Sequence, residues 1–259
     1  AVIVEKLSKK RMMSGMHALW SVGCFAGAGL FSILAKLGLG ISQIAIIHCI
    51  IIFMIIFAFS RYFLPYKGAS NGKAIAIPKG IVTLFGVLAV ISFLGEGGMM
   101  DWSGVFLTEA KGVDLSLAGV GYAVFSAAML IGRLIGDKVV QKLGEQRVVI
   151  FGGIVASIGY IISIVFDNFF MMQFGFILLG FGAANIVPVV FTLLGRQKEM
   201  PINSAVTAVT SMGYLGVMFG PALLGFIAHG IGIVTVFCIL AGLFILQAIV
   251  SSYVFKVLN

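Results

Sequence analysis

The 259-residue chain is 61% hydrophobic and only 10% charged, with a mean hydropathy of +1.17. Soluble globular domains carry about a quarter charged residues, so this composition excludes one and describes a polytopic membrane protein. The net charge of +8 does not point to nucleic acid, because the basic residues sit in the gaps between apolar runs and not on one amphipathic face.

The chain begins at Ala1 with a short charged segment that ends at Lys9, Lys10 and Arg11. Its apolar part is too short for a cleavable signal peptide, and a first residue other than Met suggests a fragment. Eight apolar runs follow, each near the ~20 residues a bilayer-spanning helix needs, at 13–34, 41–60, 78–100, 117–135, 148–166, 169–194, 205–228 and 231–255. The expected fold is all-α, with eight transmembrane helices and both ends on the same side of the membrane.

In the first run His17, Trp20 and Ser21 share one helix face, which should look toward protein and not lipid. His17 titrates near neutrality when unperturbed, and it reads either as a functional group or as a hydrogen-bonded structural histidine. Gln43 and His48 of the second run read as interhelical or interface residues. The stretch 61–78 holds Pro65, Gly68, Ser70, Asn71, Gly72 and Pro78, a linker composition. The expected organisation is therefore 1–60, a linker at 61–78, and a six-helix unit at 79–259.

The third run carries two acids, Glu96 and Asp101. A carboxylate near a helix centre costs about 2.5 to 3.5 kcal/mol on insertion scales, so it normally faces a cavity or a partner. Glu96 is the candidate proton-coupling or substrate-binding acid, with a purely structural interhelical role as the alternative. Gly95, Gly97 and Gly98 are expected to weaken the helix around it. Asp101 reads equally as a vestibule acid or a solvated rim residue, and Trp102 as an interface anchor or a stacking platform.

Between the fourth and fifth runs lies the one densely charged turn, Gly132-Arg-Leu-Ile-Gly-Asp-Lys through Gly144-Glu-Gln-Arg-Val. Arg133, Lys138, Lys142 and Arg147 there are expected to be held on the cytoplasmic side. Gly132 and Gly136 leave one helix face bare for close approach of a neighbour. Asp137 can pair with nearby basic side chains or cap a helix N-terminus. With this turn inside, 15 of the 17 basic residues fall on the cytoplasmic side, and only Lys36 and Lys111 lie outside.

In the sixth run Asn185 sits mid-span with two donors and an acceptor to offer a solute, or to satisfy a backbone that Pro188 is expected to kink. The seventh run offers Tyr214 beside Thr207, Thr210 and Ser211, which also serve as ordinary glue between membrane helices. Cys24, Cys49 and Cys238 lie in apolar runs without framework spacing and read as packing residues. No metal or cofactor motif is recognised, and neither a His-Glu-x-x-His, a phosphate loop nor a nucleophile elbow supports an enzyme.

The Gly-Arg-x-x-Gly-Asp pattern followed by Gly-x-x-Arg-Val resembles the loop signature of the major facilitator superfamily, in the copy between its eighth and ninth helices. Ser21-Val-Gly with Gly23, Gly27 and Gly29 resembles Ser211-Met-Gly with Gly213, Gly216 and Gly220, as a six-helix repeat would. The runs from Met13 and from Gly95 are similar to a MosC-like branch related to fucose permease. This resemblance implies that the chain holds helices five to twelve, the last six a complete C-terminal half, with the first four missing. It implies a secondary active transporter in the inner membrane, proton-coupled, for a sugar, cyclitol or similar small polar solute, working by alternating access. Glu96, Asp101, Asn185, His17, Trp20 and Tyr214 are then the candidate substrate or proton residues. Gly132, Arg133, Gly136, Asp137 and Arg147 form the conformational loop motif. The alternative is a truncated remnant, or one chain of a split transporter that needs the missing helices as partner.

Overall fold

In the computed structural model the described residues are 2–63 and 76–258. Most of the expected linker at 61–78 lies outside them, as do the side chains of Cys24 and Lys36. Ten α-helices are formed among them: α1 (Val2–Ser8), α2 (Met13–Lys36), α3 (Ile41–Phe59), α4 (Ile81–Val105), α5 (Val120–Leu143), α6 (Glu145–Val165), α7 (Phe169–Ala183), α8 (Ile186–Leu194), α9 (Ile202–Ile231) and α10 (Ile233–Leu258). Seven spans among the described residues are long and apolar enough to cross a membrane, and they correspond to runs two to eight, with α7 and α8 forming one span. The remaining run forms α2, whose 24 residues reach about 36 Å at 1.5 Å per residue.

The helices continue further into their charged flanks than hydropathy suggests. The fourth and fifth runs are separated by Gly144 alone, at φ +85°, a left-handed conformation that glycine adopts without steric cost. Lys138 and Lys142 therefore lie on the last turns of α5, and Glu145 and Arg147 on the first turn of α6, since Lys, Glu and Arg extend a helix as readily as Leu does. At the opposite end Asn168 starts α7 by accepting the Met171 N–H, 3.2 Å, on its side-chain oxygen. Helix α4 runs on through a π turn, Phe106–Ala110, so Asp101 and Trp102 lie within the helix and not at its end.

The chain forms two compact units, Ala1–Ala18 with Gly72–Asn259 and Leu19–Asn71. In the first unit α4 lies against α9 and α10, α10 continues to α6, α6 to α7 and α7 to α5. Helices α6 and α7 approach backbone to backbone where Gly159 faces Gly175, and a Cβ on either would strike the other's carbonyl. An aromatic cluster fills the far end: Phe106 stacks on Phe237 with centroids 4.0 Å apart, and Tyr160 meets Phe237 edge-on at 5.4 Å. Lys111 closes that end, donating to the Ile164 carbonyl and to Asp167, both at 2.6 Å.

In the second unit His48 of α3 has its ring nitrogens 2.8 Å from the Ile44 carbonyl and 3.1 Å from the Gly27 carbonyl of α2. Gln43 accepts the Gly40 N–H, 2.9 Å, and so caps α3. Phe53, Phe57, Ile46, Ile50 and Ile55 of α3 are exposed, while Ile44 is buried. Cys49 and Cys238 are likewise exposed, so neither fills a core.

Candidate functional site

The third span is uninterrupted through Gly95, Gly97 and Gly98, contrary to the expected weakening. Two of these glycines are explained by packing: a Cβ at Gly95 would meet the Phe244 ring, and one at Gly98 the Leu240 side chain. Helix α4 is further pinned by the Tyr160 hydroxyl donating to the Gly95 carbonyl, 3.1 Å, and by Gln247 donating to Ser92 Oγ, 3.0 Å. With its α6 and α10 faces fixed in this way, α4 presents Glu96 to α5.

There Glu96 meets Arg133. Arg133 Nη2 lies 3.1 Å from both carboxylate oxygens, and the Arg133 side chain is only 7% exposed against 22% for Glu96. The same guanidinium donates through Nε to the Ala184 carbonyl, 3.3 Å. Ala184 and Asn185 form the break between α7 and α8, one turn ahead of Pro188. The break lies there because the proline ring excludes the carbonyl four residues earlier from the helical ladder, and that residue is Ala184.

Asn185 faces back across the same joint. Its side-chain amide donates to the Gly132 carbonyl, 3.0 Å, while its Oδ1 is buried with no hydrogen-bond partner. Gly136 makes room for it, since a Cβ there would collide with Asn185 Oδ1 and with Ser14 Cβ. Asp137 accepts the Ser14 N–H at 3.1 Å and the Gly15 N–H at 2.9 Å. It therefore caps the N-terminus of α2, where two otherwise unsatisfied N–H groups and the positive end of the helix dipole meet a carboxylate.

His17 stands on the next turn of α2. Its Nδ1 lies 2.9 Å from the Met13 carbonyl, its ring 6.0 Å from that of Phe191, and it is within electrostatic reach of Arg133, Glu96 and Asp137. It also lines a cavity of about 490 Å3 with Met13, Phe191, Asn203 and Thr207, between α1, α2, α8 and α9. Glu96, Arg133, Asn185, Gly132, Gly136, Asp137 and His17 are thus gathered in one region. Asp101 is exposed further along α4, and Trp102 packs over Gly225 with its indole N–H buried and unpartnered. Tyr214 is 52% exposed and tilted against Phe93 at 6.0 Å. Trp20 belongs to the other unit and is 71% exposed, and Arg147 is exposed on α6.

Sequence reasoning counted Arg133 among the residues of a charged turn, yet the structure buries it inside α5. It also passed over Glu145 and Glu5. Glu145, nearly buried, accepts from Arg11 at 2.7 Å and from both Arg196 terminal nitrogens at 2.7 and 2.8 Å. Glu5 accepts the N–H groups of Met12 and Met13 at 3.0 and 2.9 Å, and the Thr192 hydroxyl at 2.6 Å. The available signal was that each is an acid set among several basic residues.

Residues 85–258 match the family model described as Major Facilitator Superfamily. An uncharacterized MFS-type transporter of Yersinia pestis is 45% identical over 232 residues, 88% of this chain and 60% of that protein. The membrane protein MosC of Rhizobium meliloti is 26% identical over 239 residues, 90% of this chain and 57% of its own length. The crystal structure of the human organic anion transporter MFSD10 superposes with a TM-score of 0.57 at 18% identity, over 67% of this chain and 42% of that one, a likeness of fold. The chain spans about three fifths of the length of these curated relatives.

Proposed function

The chain belongs to the major facilitator superfamily, a family of transporters and not of enzymes, and from that premise we propose that it works in a proton-coupled secondary active transporter of a small polar solute, such as a sugar or cyclitol. The observation that carries the reading is the Glu96–Arg133 ion pair inside an apolar bundle. Ionisable residues at that depth are costly and are retained where they serve a transport pathway or a proton relay. Glu96 is the proton-accepting group; Asn185 and His17 are solute contacts, with Asp101, Trp20 and Tyr214 as secondary candidates.

The arrangement suggests how protonation is communicated. Arg133 holds Glu96 of α4 on one side and the Ala184 carbonyl at the α7–α8 break on the other. A proton on Glu96 removes the charge that draws Arg133 toward α4, leaving the broken span free to move against it. Gly132, Gly136, Asp137 and Arg147 form the conformational element beside it, in which Asp137 latches α2 to α5 on the side proposed as cytoplasmic. Alternating access places the site between two six-helix halves, so the transporting unit includes helices beyond those of this chain, in the inner membrane with both ends of this chain cytoplasmic. The residue distribution supports that orientation, with basic residues gathered at the end where α5 meets α6.

The test is solute uptake by the full-length protein at several external pH values. Glu96→Gln is expected to abolish the proton dependence, and an unaltered pH profile overturns the assignment. Tyr214→Phe is expected to be milder, and a larger loss there than at Glu96 moves the site to α9.

A further inference from the structure

We infer that the cavity between α1, α2, α8 and α9 binds an uncharged solute with hydroxyl groups at one end and an aryl or alkyl group at the other, its hydroxyls held by His17, Asn203 and Thr207. This rests on the transport reading above and narrows its solute from any small polar molecule to an amphipathic one.

The cavity measures about 490 Å3, within the range of about 300 to 1,000 Å3 of small-molecule sites. Three residues make its polar side. Asn203 and Thr207 stand four apart and so share one face of α9, and His17 joins them from α2. His17 Nδ1 lies 2.9 Å from the Met13 carbonyl. A carbonyl only accepts, so Nδ1 carries the proton, and in the neutral ring Nε2 is left as an acceptor.

A hydroxyl on a membrane helix normally returns its hydrogen to a carbonyl of the preceding turn, as Thr108, Ser163, Thr235 and Ser251 do here. Among the described residues, neither the Thr207 hydroxyl nor the Asn203 amide makes a hydrogen bond. With His17 Nε2 they offer donors and acceptors together, which is what the hydroxyls of a solute require.

The rest of the wall is apolar, from Val2 and Ile3 of α1, Met13, Phe191, and Ile202 and Val206 of α9. On α9 the apolar pair 202 and 206 lies directly beside the polar pair 203 and 207, so one helix presents both kinds of surface to the same space. The Phe191 ring, its centroid 6.0 Å from that of His17, gives an aromatic face to pack against. A bare polyol would set hydroxyls against this wall without partners, whereas an aryl or alkyl group gains by leaving water for it.

No side chain of fixed charge is among the lining residues described. The charges in electrostatic reach of His17 are Arg133, Glu96 and Asp137. Arg133 and Glu96 are joined to each other, and Asp137 to the N-terminus of α2, so an ionised solute in the cavity would sit on a wall that offers it no counter-charge.

The experiment uses the full-length protein in liposomes, with uptake read by mass spectrometry under a pH gradient of either sign. The probes are phenyl β-D-glucopyranoside, glucose, myo-inositol and phenyl β-D-glucuronide, with protein-free liposomes as blank. Phenyl glucopyranoside is expected to enter at least about tenfold faster than the other three. Entry of glucose, myo-inositol or the glucuronide at an equal or higher rate overturns the inference and leaves the transport reading standing. Entry of none of the four overturns both. Two variants place the solute: Thr207→Phe, which fills the cavity, is expected to abolish phenyl glucopyranoside uptake. Thr207→Val, close to isosteric and therefore informative even where the larger side chain impairs folding, is expected to raise its KM about three- to tenfold with kcat little changed. An unchanged KM in Thr207→Val overturns the assignment to this cavity.

Discussion

Arg133 and Glu96 meet where α5 crosses α4, one guanidinium nitrogen 3.1 Å from each carboxylate oxygen, although 36 residues of chain separate them. Because the arginine is enclosed, removing Glu96 takes away a carboxylate that balances its charge. Glu96→Ala is expected to destabilise the detergent-solubilised protein by about 3 kcal/mol, the low end for a buried pair because Glu96 is partly open to solvent. The double change Glu96→Leu with Arg133→Leu is expected to recover most of that loss. Thermal or denaturant unfolding of both variants at fixed detergent and pH checks this, and a double variant as unstable as Glu96→Ala counts against the charge argument.

Asp137 caps α2 through two backbone N–H groups. Asp137→Ala is expected to cost about 1 to 2 kcal/mol, with Asp137→Asn milder because one acceptor remains. Hydrogen exchange reads this locally: the Ser14 and Gly15 amides should lose about tenfold in protection in the alanine variant, and unchanged protection there would show that the cap contributes nothing.

Glu145 collects Arg11 and Arg196 on one carboxylate. Both arginines are part-exposed, so each pair alone is screened, and the value of the cluster lies in satisfying a nearly buried acid. Glu145→Gln is expected to lose about 2 kcal/mol, and Arg11→Gln much less. In the double variant the two losses should not add, giving a coupling of about 1 kcal/mol; strict additivity would deny the shared contact.

Gly136 leaves no space for a methyl group beside Asn185 Oδ1. Gly136→Ala is therefore expected to destabilise by about 1 to 3 kcal/mol through overpacking. Gly242, exposed in the interior of α10 with open space around its Cβ position, is the contrast: Gly242→Ala is expected to stabilise by about 0.5 to 1 kcal/mol. A matching sign at the two positions, measured by unfolding under identical conditions, would refute the packing account of Gly136.

Much of the fold was legible before any coordinates. Transfer of each apolar run into a bilayer is a property of that run alone, which is why spans two to eight fall where hydropathy places them. Close approach at Gly132 and Gly136, the capping capacity of Asp137 and a kink near Pro188 follow from local stereochemistry in the same way. Helix ends were less legible, as at Leu143, Gly144 and Glu145, because charged side chains continue a helix after its hydropathy has fallen.

The partner of each polar group was a different matter. Sequence alone marked Glu96 as a costly acid in need of a partner and Arg133 as one basic residue among several in a turn, with nothing to join them. It could not select the α2 N-terminus as the object of Asp137, or Glu145 as the meeting point of Arg11 and Arg196. These pairings depend on which helices lie side by side and on the rotation of each about its axis, and both are set by packing over the whole bundle. Composition and periodicity determined that this is a multispanning helical protein with an acid in its third apolar run. Only the tertiary structure decided that the acid is held by Arg133, because two charges distant in the chain pair only when packing brings their helices together.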